Sequence, residues 1–176
     1  MLVFAGGLIE EIEEAVVESG LDVLCITDHN AIRGAVELAD SLPCRVVVGE
    51  ELRTHAGEII GLFLTERIPM GIPPAEAARA IRDQGGVVYV PHPFDPMRKN
   101  ISEAALDDLV SAGLVDAIEV INAKTSLRSL NERAAQYAHT HGLLAGAGSD
   151  AHVPHALGAA YVEMPDFDGP QELLAS

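Results

Sequence analysis

Leu143-Leu144-Ala145-Gly146-Ala147-Gly148-Ser149-Asp150-Ala151-His152 is a short apolar run that ends abruptly in Ser-Asp-x-His. Small and aliphatic residues bounded by polar ones read as a buried strand whose last residues emerge at the sheet's end. Asp150 and His152 are two apart, so an extended backbone aims both side chains to one side. A carboxylate and an imidazole presented together suit Zn, Mn or Fe. A single Asp-x-His pair is weak evidence, and its weight comes from repetition along the chain.

Five apolar runs end in potential ligands. Leu21–Ile26 leads into Thr27-Asp28-His29-Asn30, and Arg45–Val48 into Gly49-Glu50-Glu51. Val87–Val90 leads into Pro91-His92-Pro93, Asp116–Ile121 into Asn122, and the Leu143 run into Asp150 and His152. Glu58–Leu64 is a further strand, joined to its predecessor by a turn around His55-Ala56-Gly57, and Ala159–Met164 reads as a last strand. Helical patterns separate the runs: Leu8–Gly20, Ala31–Asp40, Pro73–Gln84, Glu103–Ala112, Ser129 or Asn131 to His141, and Pro170–Ala175. Proline at a first turn, Ser102 as a cap and glycines as stops mark their ends.

Short apolar runs alternating with helices predict a mostly parallel sheet in one α/β domain over residues 1–176. In a parallel barrel the strand ends converge on one face, whereas an open sheet spreads them along a line. The repeated placement of polar residues therefore favours a barrel.

Composition narrows the function. With 48% hydrophobic but only 4% aromatic residues, the core is aliphatic. Eleven basic against 27 acidic residues give a formal charge of −16, which argues against coating nucleic acid. A small phosphorylated molecule remains compatible if cations reverse the sign locally. Cys25 and Cys44 lie in apolar runs and read as buried thiols. The absence of a leader or a long apolar run makes a cytoplasmic protein, with no membrane partner, the expectation; self-association is open.

Each residue also has a plain structural reading. Asp28 suits a turn or helix cap, His29 a solvated loop, Glu51 an acidic surface, and Pro91-His92-Pro93 a rigid turn. Taken together they favour a metal site more than any does alone. His139 and His141 fit a helix C-terminus instead.

These blocks, in this order, resemble the PHP family, named for polymerase and histidinol phosphatase. The matching segments are Ile26–Asn30, Gly49–Glu51, Pro91–Phe94, Ile118–Asn122 and Gly146–His152. The resemblance implies a distorted TIM-like (β/α)7 barrel with up to three divalent metals at its C-terminal face. It also implies phosphoester hydrolysis by metal-activated water. It makes Glu51 a bridging ligand, gives Asp150 to the first metal and His92 to the second, and gives His29 and His152 to the third. Asp28, His92 and Asp150 are the candidates for a direct part in catalysis. Arg98, Arg33 and Asn122 are the candidates for substrate binding, the arginines because their fork matches phosphate.

The His-x-His strand that opens such sequences has no counterpart before His29. The expectation is a barrel that lacks or remodels its first strand and holds fewer than three metals. Leu2-Val3-Phe4 or a second protomer would then cover the gap. Two rivals follow: a catalytically impaired metal-binding or structural domain, and a metal-dependent amidohydrolase.

Overall fold

The computed structural model describes residues 8–176. The elements run α1 (Leu8–Ser19), β1 (Val23–His29), α2 (Arg33–Ala39), β2 (Arg45–Thr54), β3 (Gly57–Leu62), α3 (Pro74–Asp83) and β4 (Val87–Val90). They continue with α4 (Glu103–Ser111), β5 (Ala117–Asn122), α5 (Arg128–His141), β6 (Leu144–Gly148), a 3-10 turn (Pro154–Ala156) and α6 (Pro170–Ala175). No helix among the described residues is long and apolar enough to cross a membrane.

The six strands form one sheet in sequence order, β1 to β6, curled into a half-barrel. Five strands run parallel and β3 runs against its neighbours β2 and β4. The mostly parallel expectation holds with β3 as its exception, and the cause of the exception is local. Only His55 and Ala56 separate β2 from β3, far too few residues for a parallel crossover, so the pair must be a hairpin. Gly57 closes it at φ +125°, and a Cβ there would lie 2.3 Å from the Ile101 Cα.

Strand alternation sorts the side chains into two layers. Outward residues Leu52, Ile59, Val88, Val90 and Ile118 join Ala77, Ile81, Leu106, Leu109 and Ala134 of the helices in the main core. Ile12, Val16, Ala35 and Leu38 of α1 and α2 cover Ile26 on the outside of β1. Inward residues Val47, Ile60, Leu62 and Val87 pack on Phe167, with Val23, Tyr89 and Leu173 alongside. The C-terminal segment thus fills the half-barrel from the strands' N-terminal end, which leaves the other end to polar residues.

The sheet ends at β1 and β6 among the described residues, one strand fewer than the seven that the family resemblance implies. A groove of about 1160 Å³ runs between these two edges. The strand expected at Ala159–Met164 is irregular chain, with Tyr161, Val162 and Met164 exposed along the groove. Its apolar alternation resembles a strand's, but it pairs with no ladder there. Leu2-Val3-Phe4, expected near this gap, lies outside the described residues.

Candidate metal centre

The site lies at the C-terminal end of the half-barrel, and strand parity explains its membership. On β2, Glu51 shares its inward face with Val47, whereas Glu50 shares the outward face with Leu52. Glu50 is fully buried there, one carboxylate oxygen accepting the Ile68 N–H at 3.0 Å. On β1, His29 has the parity of Val23 and faces inward. Asp28 falls on the opposite face, in register with Glu50; it is buried and lines the wide groove but not the small polar cavity.

That small cavity, about 160 Å³, is lined by His29, Glu51, Glu58, His92, Asp150 and His152, with Arg53, Arg98 and Lys99 among the residues at its wall. The His29 Nδ1 stands 3.3 Å from one Glu51 oxygen, and the His92 Nε2 stands 3.1 Å from the other. The His152 Nδ1 is 3.4 Å from an Asp150 oxygen. Two ligands held at about 2.0–2.1 Å in a tetrahedral shell are themselves roughly 3.3 Å apart. The two pairs on Glu51 therefore already stand at the separation of a shared ion's ligands, whereas the His152 Nδ1 lone pair is taken by Lys124. Among the described residues the buried Nδ1 of His92 has no hydrogen-bond partner, an arrangement a bare structural histidine would not favour. The donor set fits a divalent cation.

Glu58 belongs to the site and escaped the sequence reading. Its carboxylate, only 3% exposed, joins His29 and Glu51 in a group whose ligand atoms all lie within 4.8 Å of one another. It also stands 3.6 Å from the Arg53 guanidinium. The signal was the short hairpin: pairing Arg53 with Glu58 places an inward acid diagonally opposite Glu51.

Electrostatics follow from this crowding. Burial raises the Glu51 pKa, but the His92 hydrogen bond and the charges of both imidazoles outweigh it and hold the carboxyl below its ordinary value. Burial opposes a proton on His92, yet the Glu51 hydrogen bond and charge, helped by Glu119 and Asp150, raise its pKa. Burial dominates at His29 and lowers its pKa. Burial and then the Glu51 charge raise that of Glu58.

The remaining candidates divide. Arg98 pairs with Asp150 at 2.9 Å, and Lys124 donates to the His152 Nδ1 at 2.7 Å, so both cations sit at the centre. Arg33 is exposed on α2 and paired with Glu37 at 2.6 Å, and it does not line the cavity. Asn122 is buried, its amide donating to Glu119 at 2.9 Å and accepting the Lys124 N–H at 2.9 Å. His139 and His141 lie at the last turn of α5, as expected.

Known proteins share parts of this sequence and its fold. Residues 128–176 match the family model described as PHP-associated. Two uncharacterized proteins of Methanocaldococcus jannaschii are relatives, one 44% identical over 60% of this chain, the other 35% identical over 86% of it. The chain spans 61% and 65% of their lengths. Among solved structures, a candidate metal-dependent phosphoesterase from Bifidobacterium adolescentis superposes with TM-score 0.65 at 17% identity, covering 84% of this chain and 83% of that one. A two-domain protein from Bacteroides vulgatus containing a predicted PHP-like metal-dependent phosphoesterase gives 0.61 at 21% identity, covering 86% and 48%. An amidohydrolase from Chromobacterium violaceum, solved with sulfate and no metal, gives 0.65 at 16% identity, covering 96% and 89%. In its ordered blocks, its PHP-associated C-terminal segment and its fold, the chain is similar to proteins of the PHP family.

Proposed function

We propose that this chain is a metal-dependent phosphoesterase that hydrolyses a small phosphorylated molecule, a nucleotide or a metabolite, with metal-activated water. The observation that supports it best is the His29, Glu51 and Glu58 cluster, with His92 on the other Glu51 oxygen, around one cavity. In this reading His29, Glu51 and Glu58 hold one divalent ion, and His92, Asp150 and His152 complete the ligand set, with Mn, Zn or Fe all compatible. Such an ion would acidify a bound water and polarise a phosphoryl oxygen.

The chain's own residues account for substrate charge. In a protein of net charge −16 with eleven basic residues, three of those eleven line this one small cavity. Arg98 can present a bidentate fork to phosphate, and Lys124 a point charge beside it. These three bases offset Glu51, Glu58 and Asp150 of the same lining, so a bound divalent ion would tip the cavity positive and favour an anionic substrate over a neutral amide. Asp28 and Arg33 are left outside the reacting region, and Asn122 serves from beneath it.

The test is to load the purified chain with Mn²⁺ or Zn²⁺, quantify bound metal, and assay an aryl phosphate beside a matched aryl amide. Bound metal with ester hydrolysis is expected. Bound metal with amide hydrolysis alone would transfer the chain to the amidohydrolase reading, and bound metal without turnover to a structural role.

A further inference from the structure

We propose that Glu119 is a positioning residue: through a hydrogen bond from the His92 backbone N–H, it fixes the His92 imidazole against Glu51. The inference rests on the metal-site reading above and adds to it a residue that does not touch the cation.

His92 has an unusual backbone. Its φ is +28°, a conformation non-glycine residues seldom adopt, and the proline that follows restricts it further. Pro91 and Pro93 have no N–H, so His92 carries the single backbone donor of the tripeptide. That donor goes to the Glu119 Oε2 at 2.8 Å, and the imidazole then meets Glu51 at 3.1 Å. Glu119 itself is only 5% exposed and faces inward from β5.

Three further features hold this carboxylate in one pose. The Asn122 side-chain amide donates to the same Oε2 at 2.9 Å. That amide cannot turn over, because its oxygen accepts the Lys124 N–H, while the Asn122 backbone exchanges hydrogen bonds with the Asn131 side chain at 3.3 and 3.4 Å. Opposite, Gly148 of β6 makes the room: a Cβ there would lie 2.2 Å from the Glu119 Oε1. Gly148 is not among the positive-φ glycines, so what forbids a side chain is the Glu119 carboxylate.

Residues that orient a metal-ligating histidine typically matter by about 10- to 100-fold in metal affinity. The decisive contrast is between Glu119→Leu, which removes the acceptor, and Glu119→Gln, which keeps an acceptor oxygen while removing the charge. Titration calorimetry with Mn²⁺ should show Glu119→Leu weakened about 10-fold or more, with Glu119→Gln within a few-fold of wild type. The ring nitrogen shifts of His92 in NMR should move in Glu119→Leu and not in Glu119→Gln. Gly148→Ala, which displaces the carboxylate without deleting it, should resemble Glu119→Leu and supplies the same test if the leucine variant does not fold. Equal weakening by Gln and Leu would mean that the charge acts directly, and unchanged affinity in Leu and in Gly148→Ala that Glu119 does not act; either overturns the inference. A wild-type chain that binds no Mn²⁺ or Zn²⁺ overturns instead the metal-site reading itself.

Discussion

Glu50 and Glu51 are adjacent and chemically identical, yet the pleat gives them opposite tasks. Glu51 faces two imidazoles, and Glu50 anchors the Ile68 backbone on the far side of the sheet. Glu51→Gln should therefore lower divalent-cation affinity at least ~10-fold while leaving the melting temperature of the chelator-treated protein nearly unchanged. Glu50→Ala should do the reverse: it leaves a buried N–H unpaired and costs about 2 kcal/mol, with metal affinity intact. Calorimetry and denaturant unfolding on both variants check the pair, and a swapped outcome would reverse the assignment. Glu58→Gln should also weaken metal binding, because Glu58 completes the group with His29 and Glu51. Alternation made it legible that only one of the two acids could face the metals, and the resemblance to the PHP family, through its Gly-x-Glu spacing, selected Glu51. Glu58 was not legible, because an acid inside a strand of an acidic chain looks like ordinary surface until its pairing partner is known.

At the scale of elements, the β2–β3 hairpin is what brings Glu58 to the centre. Its turn has no slack: Gly57 sits at φ +125° and backbone atoms of Asn100 and Ile101 lie within 2.5 Å of where a Cβ would be. The Ser102 N–H also donates to the Ala56 carbonyl at 2.8 Å, tying the turn to the start of α4. Gly57→Ala should consequently destabilise the fold by roughly 2–4 kcal/mol, combining backbone strain with a backbone clash. It should also weaken metal binding through the shifted Glu58; a fold as stable as wild type would show the turn to be looser than described. Most helices and strands were readable from periodicity and proline placement, since α3 begins at Pro74 and α4 is capped by Ser102, whose side chain accepts the Ala105 N–H. The antiparallel insertion of β3 and the irregular Ala159–Met164 segment were not. Strand direction depends on loop length and strand formation on an available edge, and hydrophobic pattern encodes neither.

For the molecule as a whole, the half-barrel concentrates buried acids at one end of a chain already at −16, and this couples stability to pH and to metal together. Burial pushes the Glu119 pKa up to about 7, partly offset by the Asn122 and His92 hydrogen bonds and the His92 charge, while the charge of Asp150 adds to the rise. Tyr89 also packs on this carboxyl. A raised folded-state value means that the native chain binds the proton more tightly than the unfolded chain does. The stabilisation is thus complete below the unfolded value near 4.5 and is lost as pH climbs through about 7. His92, also raised, contributes with the same sign. His29, whose pKa is lowered, contributes the opposite trend, but that loss comes as pH falls below its ordinary 6.5. In chelator, then, the melting temperature should decline between about pH 6 and pH 8, and Glu119→Gln should flatten the decline. A divalent ion demands the deprotonated ligands, so its stabilising effect should grow over the same interval. At a hundredfold excess over Kd it amounts to about 2.7 kcal/mol. Thermal melts in chelator and in Mn²⁺ across that range test both halves. A chelated protein that gains stability toward pH 8, or a variant that keeps the full wild-type slope, would show that the buried carboxyl is not what links the fold to the proton.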